Sequence, residues 1–297
     1  MSDQYTFADP TKLYSGIETK EKYQDGPGLD ADLDNAADLG EKTYRGSGRL
    51  EGRKALITGG DSGIGAATAI AFAREGADVA LSYLPEEEED AKRIVGLIIE
   101  AGRKAVALPG DLTDPAYCRD LVAQAVEQLG GLDILVNNAG KQQNQDALAD
   151  ISDEQFDETY KTNVYAMFHV TKAALPHLAP GSTIINTSSI QAYQPSENLV
   201  DYASTKAAIN NFSKGLAQQL APQGIRVNVV APGPIWTPLQ TAGGQPTEDL
   251  PEFGQDTPLG RAGQPAELAP AYVFLASSES SYVSGSTLHV NGGMPTP

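Results

Sequence analysis

The stretch "KALITGGDSGIGAATAIAFAREGADVALSY", residues 54–83, decides the fold. It opens with a short apolar run, KALIT (54–58), and crosses a turn carrying Gly59, Gly63 and Gly65. It continues with the spacing of a helix and ends in a second apolar run, DVALSY (78–83). Strand, glycine turn, helix and strand in this order form a βαβ unit. Glycines let the backbone approach a pyrophosphate closely, and the helix start offers unpaired N–H groups and a positive dipole end. The TGxxxGxG spacing differs from the GxGxxG form but serves the same physics, with Thr58 placed to brace the turn through its hydroxyl.

The same alternation runs outward from this unit. Further apolar runs are KAVAL (104–108), DILVNN (133–138), STIINTS (182–188), IRVNVVA (225–231) and TLHV (287–290). Helix-spaced stretches at 64–75, 86–101, 115–129, 154–178 and 202–221 separate most of them. Such a pattern predicts a single α/β domain of Rossmann type, with a doubly wound parallel seven-stranded sheet and helices on both faces. Residues 1–50 are a polar arm with little aliphatic periodicity, expected to run in solvent or along a neighbouring subunit. Residues 51–297 are the expected dinucleotide-binding catalytic domain. Within it, 237–262 is dense in Gly and Pro after a strand's carboxyl end, which predicts a lid.

Bulk properties narrow the function. With 297 residues and 40% apolar content the chain fills one sizeable core. A formal charge of −18 repels phosphate backbones and anionic lipid surfaces, which argues against nucleic-acid and membrane partners. There is no basic, apolar leader and no apolar run of about 18 residues, so a soluble cytoplasmic protein is expected. Cys118 stands alone, which excludes an internal disulfide, and His169, His177 and His289 lack partners at ligand spacing, so no metal site is expected.

A second stretch, "SSIQAYQPSENLVDYASTK" (188–206), carries the chemistry. Tyr202 and Lys206 at i, i+4 share a helix face. A phenol titrates near 10, and bringing it to about 7 takes ~4 kcal/mol of differential interaction, for which a neighbouring ammonium and a positively charged bound group are suitable sources. Ser189, 13 positions before Tyr202 at a strand's carboxyl end, is placed to hydrogen-bond a substrate carbonyl while Tyr202 moves the proton. Ser188 is the rival for that role.

Together with NNAG (137–140), the TGGDSGIG and YASTK motifs make residues 50–293 resemble the short-chain dehydrogenase/reductase family. GEKTYRGSGRL, YLPEEEEDA and SSIQAYQPS resemble its bacterial general-stress branch of aldehyde or ketone reductases. The resemblance implies a nicotinamide dinucleotide and a catalytic tetrad of Asn163, Ser189, Tyr202 and Lys206, with Asn163 holding a water for proton relay. It also implies a pyrophosphate over Gly59, Asp61, Ser62, Gly63, Ile64 and Gly65, with Asp111 and Leu112 at the adenine and Asn138, Ala139 and Gly140 along the ribose. Pro232, Gly233, Ile235 and Thr237 would meet the nicotinamide, with Tyr202 and Lys206 beside it. Asp or Thr in DLTD would also serve as a helix cap.

The ribose 2′ position is read by residues after the second strand and in the glycine turn. Ser82, Tyr83, Leu84, four glutamates, Asp61 and Ser62 stand there, with no basic clamp for a phosphate and no acidic clasp at the strand end. This favours NAD(H), with NADP(H) left open. Lys141, Gln191, Tyr193 and Trp236 are the substrate-side candidates and suit a small carbonyl compound. The expected function is hydride transfer between the dinucleotide and the carbonyl or alcohol carbon of a small aldehyde, ketone or alcohol. The alternative, a catalytically silent dinucleotide-binding sensor or scaffold, predicts a damaged tetrad. A homotetramer assembled through helix 202–221 and the carboxyl-terminal strand is implied by the resemblance.

Overall fold

The computed structural model describes residues 3–14 and 22–296. Among them, seven strands form one sheet: β1 (Lys54–Thr58), β2 (Asp78–Tyr83), β3 (Ala105–Pro109), β4 (Leu132–Asn137), β5 (Leu178–Thr187), β6 (Arg226–Pro232) and β7 (Thr287–Val290). All neighbours are parallel, in the order β3-β2-β1-β4-β5-β6-β7. The order reverses between β1 and β4, and the crevice beyond the strands' carboxyl ends at that point is where such sheets bind ligands.

Two helical layers cover the sheet because its strands are apolar on both faces. One layer contains α1 (Gly63–Arg74), α2 (Glu88–Glu100) and α7 (Pro265–Ala276), whose Phe72, Ile94 and Leu268 enter one core cluster. The other contains α3 (Pro115–Leu129), α5 (Ala166–Ala174) and α6 (Val200–Leu220), whose Leu121, Val170 and Leu216 enter the second. Helix α1 is rich in buried alanines, so it lies close to α7 and the sheet at once. No helix among the described residues is long and apolar enough to cross a membrane.

Three details depart from the sequence reading. The stretch 154–178 is not one helix: α4 (Asp153–Tyr160) passes through a π-helical turn at Lys161–Tyr165 into α5, and β5 already begins at Leu178. Helix α7 went unrecognised, because Pro265 and Pro270 and an apolar character on every side hide any periodicity. The arm is the largest departure. Residues 1, 2 and 15–21 lie outside the described residues, but from 22 to 50 the arm runs over its own domain. Its Leu33, Ala37, Leu39, Tyr44 and Leu50 are buried in the α1–α7 core. Arg74 on α1 donates to the carbonyls of Gly40, Glu41 and Tyr44, and Ala266 N at the start of α7 donates to Asp38 O at 2.9 Å. These apolar residues are spaced irregularly along the arm, so no period announced them.

Candidate active site

A cleft of about 980 Å³ opens at the switch point, a volume within the upper range for small-molecule sites. Its floor is the glycine turn. Gly59 at φ +60° and Gly63 at φ +49° hold backbone that side chains disfavour. A Cβ on Gly65 would stand 1.8 Å from Gly59 O and 2.6 Å from Asn138 Nδ2, so the turn and the end of β4 meet there without room for a methyl. Thr58 braces the junction as expected, its Oγ1 accepting from Asn138 N (3.0 Å) and Ala139 N (3.2 Å), while Asn138 Nδ2 donates to Gly59 O (3.0 Å). Thr58 and Gly65 thus shape the turn from beneath, whereas Gly59, Asp61, Ser62, Gly63 and Ile64 line the cleft.

At the other end β5 and α6 bring the reacting side chains together. Tyr202 and Lys206 are both buried on the cleft side of α6, with Lys206 Nζ 5.2 Å from the tyrosine ring centroid and donating to Thr187 O at 3.1 Å. Ser189 follows β5 and lines the cleft beside Tyr202, whose phenol it acts to lower, while its Oγ accepts from Gln191 N at 3.1 Å. Ser188 Oγ is committed elsewhere, donating to Lys206 O at 3.0 Å and tying β5 to α6. Asn163 sits in the π-helical turn between α4 and α5. Its Oδ1 accepts from Lys141 N (2.7 Å), and its Nδ2 donates to Lys141 O (2.9 Å) and Thr205 Oγ1 (3.0 Å). The wide π turn carries this residue under the loop after β4, the kind of local device common at functional sites.

Burial dominates the electrostatics of the pair. It pushes the Tyr202 phenol up to about 12, against the Ser189 hydrogen bond, and brings the Lys206 ammonium down to about 8. The neighbouring cation by itself therefore does not bring the phenol toward neutrality.

The other expected residues divide. Asp111, Leu112, Tyr83, Asn138, Ala139, Gly140, Pro232, Gly233, Ile235 and Thr237 all line the cleft. Capping and lining in DLTD fall on different residues: Asp114 caps α3 by accepting from Ala116 N at 2.8 Å, and Asp111 folds over Thr113. Lys141 and Gln191 line the cleft, the former paired with Glu158. Tyr193 and Trp236 do not line it. The Tyr193 ring packs edge-on against His289 with centroids 5.0 Å apart, and Trp236 is buried beneath the arm, its Nε1 donating to Asn35 O at 2.8 Å. An aromatic beside a lid looks the same in sequence whether it faces a ligand or anchors the loop.

Sequence reasoning missed one wall. Tyr23, Gly26 and Pro27 of the arm line the cleft, held there because Gln24 N donates to Thr241 O at 3.0 Å. The loop 237–262 crosses the same opening, closed at its base where Trp236 N meets Gly263 O and Gly263 N meets Pro234 O. Asn144 and Gln142 also reach its Gly243 and Gly244 carbonyls. The DGPG sequence at 25–28 signals a turn but not where the turn lands. A long cleft with a glycine-floored helix start at one end, an unpartnered buried carboxylate oxygen on Asp61 and a tyrosine–lysine pair at the other fits a dinucleotide with a small substrate beside it. Among the described residues no three or more His, Cys, Asp or Glu side chains are arranged to hold a metal ion.

Known proteins with this arrangement are numerous. A family model described as enoyl-(acyl carrier protein) reductase matches residues 59–295. An uncharacterized oxidoreductase of Escherichia coli, YghA, is 60% identical, covering 96% of this chain and 97% of its own. General stress protein 39 of Bacillus subtilis is 50% identical over 90% of this chain and 93% of its own. NADPH-dependent aldehyde reductase 1 of Arabidopsis thaliana is 43% identical over 92% and 97%. A solved short-chain dehydrogenase of Burkholderia cenocepacia in complex with NADP superposes with a TM-score of 0.77 at 36% identity, covering 82% of this chain and 98% of that one. This chain belongs to the short-chain dehydrogenase/reductase family and is an oxidoreductase that depends on a nicotinamide dinucleotide.

Proposed function

We propose that the protein reduces small aldehydes or ketones to alcohols, with NADP(H) as the working cofactor. The observation that carries this reading is the convergence of Ser189, Tyr202 and Lys206 on one end of the cleft, with Asn163 fixed behind them. Gly59, Ser62 and Ile64 of the glycine turn and Ile235 and Thr237 at the other end would hold the dinucleotide, which would supply hydride to the carbonyl carbon and, once oxidised, positive charge to the site. Ser189 Oγ orients the carbonyl oxygen by hydrogen bonding, and Tyr202 passes its proton to that oxygen as the alkoxide forms. A phenol at about 12 carries its proton at neutral pH, which suits reduction. Oxidation needs the phenolate, and bringing Tyr202 from about 12 to 7 takes on the order of 7 kcal/mol from the charges around it. The Lys206 ammonium already stands beside the phenol at that value, and Asn163 anchors the loop that carries Lys141. The loop 237–262 and the arm exclude water as a lid.

NADP(H) is preferred over the NAD(H) suggested by the missing basic clamp because the aldehyde reductase relative is named as NADPH-dependent and the Burkholderia structure contains NADP. A homotetramer and a cytoplasmic location belong to the same reading. Exposed Phe156, Tyr165 and Phe168 on and around α4 and α5, and the half-exposed edge strand β7, support assembly. A panel of short aldehydes, ketones and alcohols, run with NADPH, NADH and their oxidised forms, tests the proposal. Reduction of at least one aldehyde class is expected; binding of both dinucleotides with no turnover on any compound would favour the silent sensor instead.

A further inference from the structure

Beneath the adenosine end of the cleft lies a group of four carboxyls from four different segments. Asp61 belongs to the glycine turn, Glu87 to the turn after β2, Asp90 to α2 and Asp30 to the arm, and all four side chains are buried. Backbone N–H groups of the arm, the glycine turn and the turn after β2 hold three of them in place. Asp30 N donates to Asp90 Oδ2 (2.7 Å), Gly63 N donates to Asp30 Oδ2 (3.2 Å), and Leu84 N donates to Glu87 Oε2 (2.8 Å). The one cation in ion-pair contact with them among the described residues is Arg93, 3.3 Å from Asp30 and itself 41% exposed. Asp61 Oδ2 and Asp30 Oδ1 have no hydrogen-bond partner, and Asp61, 1% exposed, lines the cleft together with Glu87, Ser62 and Tyr83. Four buried negative charges against one partly exposed guanidinium are not sustainable, so the group retains protons.

This is the place, at the second strand's end and in the glycine turn, where a dinucleotide-binding domain reads the ribose 2′ substituent. We infer that protonation of the Asp61–Glu87 pair, tuned by Asp30 of the arm and by Asp90, decides whether the cleft accepts a phosphorylated or a free adenosine ribose. The pair acts from just under the wall, through charge. Protonated, it is neutral and tolerates the phosphate; ionised, it repels the phosphate and leaves the free diol unaffected. The inference rests on the NADP(H) reading above and explains how a site without a basic clamp meets a 2′-phosphate.

The surrounding groups set the pH window. Burial first, then the Glu87 charge, raises Asp61 well above the usual carboxylate range, against the Ser62 hydroxyl, with Asp90 adding to the rise. Burial raises Glu87 to about 7, opposed by Leu84 N–H and reinforced by Asp90 and Glu86. Asp30 is likewise raised to about 7 by burial and Asp90, opposed by Arg93 and Gly63 N–H. Asp90 is raised by burial and Asp32, against the Asp30 N–H and Arg93. Tyr83, which faces Asp61, donates to Glu88 and stays protonated. Preference for NADP⁺ over NAD⁺ must therefore fall as pH rises through about 7.

The test is equilibrium binding of NADP⁺ and NAD⁺ to the full chain, followed by fluorescence or calorimetry from pH 5.5 to 8.5. The free 2′-phosphate itself titrates near pH ~6, as phosphate monoesters do. That contribution is common to wild type and to an Asp61→Asn/Glu87→Gln variant, so the comparison between them isolates the carboxyls. For one linked proton, the NADP⁺/NAD⁺ affinity ratio of wild type is expected to drop about tenfold to thirtyfold more than that of the variant. Asp30→Asn, which leaves the pair in place but removes a neighbouring charge, should move the transition to lower pH and serves if the double variant does not fold. Equal pH dependence in wild type and variants overturns the inference. Binding of NAD⁺ but not NADP⁺ at every pH overturns it and the NADP(H) reading together, while failure to bind either removes the oxidoreductase site itself.

Discussion

Gly65 shows how little freedom the cofactor turn has. A methyl there collides with Gly59 O and Asn138 Nδ2, so the helix start must move away from β4. Gly65→Ala is expected to weaken dinucleotide binding at least tenfold in a fluorescence titration, with a lesser effect on thermal stability; unchanged affinity would show that the turn is not the pyrophosphate seat. A second residue-scale case lies on the far side of α1. Burial works to raise the Glu75 carboxyl, but Arg49, Tyr44 and the N–H groups of Arg49 and Ser47 outweigh it and hold it at about 2. A carboxyl depressed from 4.5 to about 2 gives stability that is present above pH 4.5 and is lost as pH falls toward 2. The size is on the order of 3 kcal/mol. Glu75→Gln should remove most of it at pH 7 and flatten the fall of the denaturation midpoint between pH 5 and 3; an unaltered acid limb would refute the assignment. Nothing in the sequence marks Glu75, whose partners come from the arm. Ser189 over Ser188 is the opposite case: a fixed offset from Tyr202 singled it out, and the structure shows Ser188 bound to the Lys206 carbonyl.

At the scale of elements, strands with apolar residues on both faces were legible, because a covered parallel sheet leaves no polar alternation to confuse the reading. Most boundaries shifted by at most one residue, as KAVAL (104–108) became Ala105–Pro109, while β5 begins at Leu178, well before the STIINTS run (182–188). Helix α7 and the π turn at Lys161–Tyr165 were not legible: one lacks a polar face, and the other differs from an α-helix only in hydrogen bonding that has no composition of its own. The arm is where element and site meet, since it buries Leu39 against the α1–α7 layer and sends Tyr23 and Pro27 to the cleft. Leu39→Ala is expected to cost about 2–4 kcal/mol in urea denaturation, the range for a fully buried leucine. A cost below ~0.5 kcal/mol, typical of surface positions, would mean that the arm does not pack on its own domain in solution.

For the whole molecule, the two helical layers and the switch between β1 and β4 place the glycine turn and the Tyr202 helix at the two ends of one crevice. That placement follows from topology, and the repeated βα pattern was enough to foresee it. The charge of −18 argued against nucleic-acid and anionic-membrane partners but concealed the buried carboxyls at Asp30, Asp61, Glu87 and Asp90, because a run such as PEEEED reads as solvated surface until the arm is seen to cover part of it. The central claim is that the cleft joins dinucleotide binding to proton transfer by Tyr202. The most direct measurement is NADPH-dependent aldehyde reduction by Tyr202→Phe, with NADPH affinity measured on the same sample. Loss of turnover by a factor of about 10³ or more, with NADPH affinity held within a few-fold, is the result expected; a variant that reduces aldehydes at the wild-type rate would contradict the account.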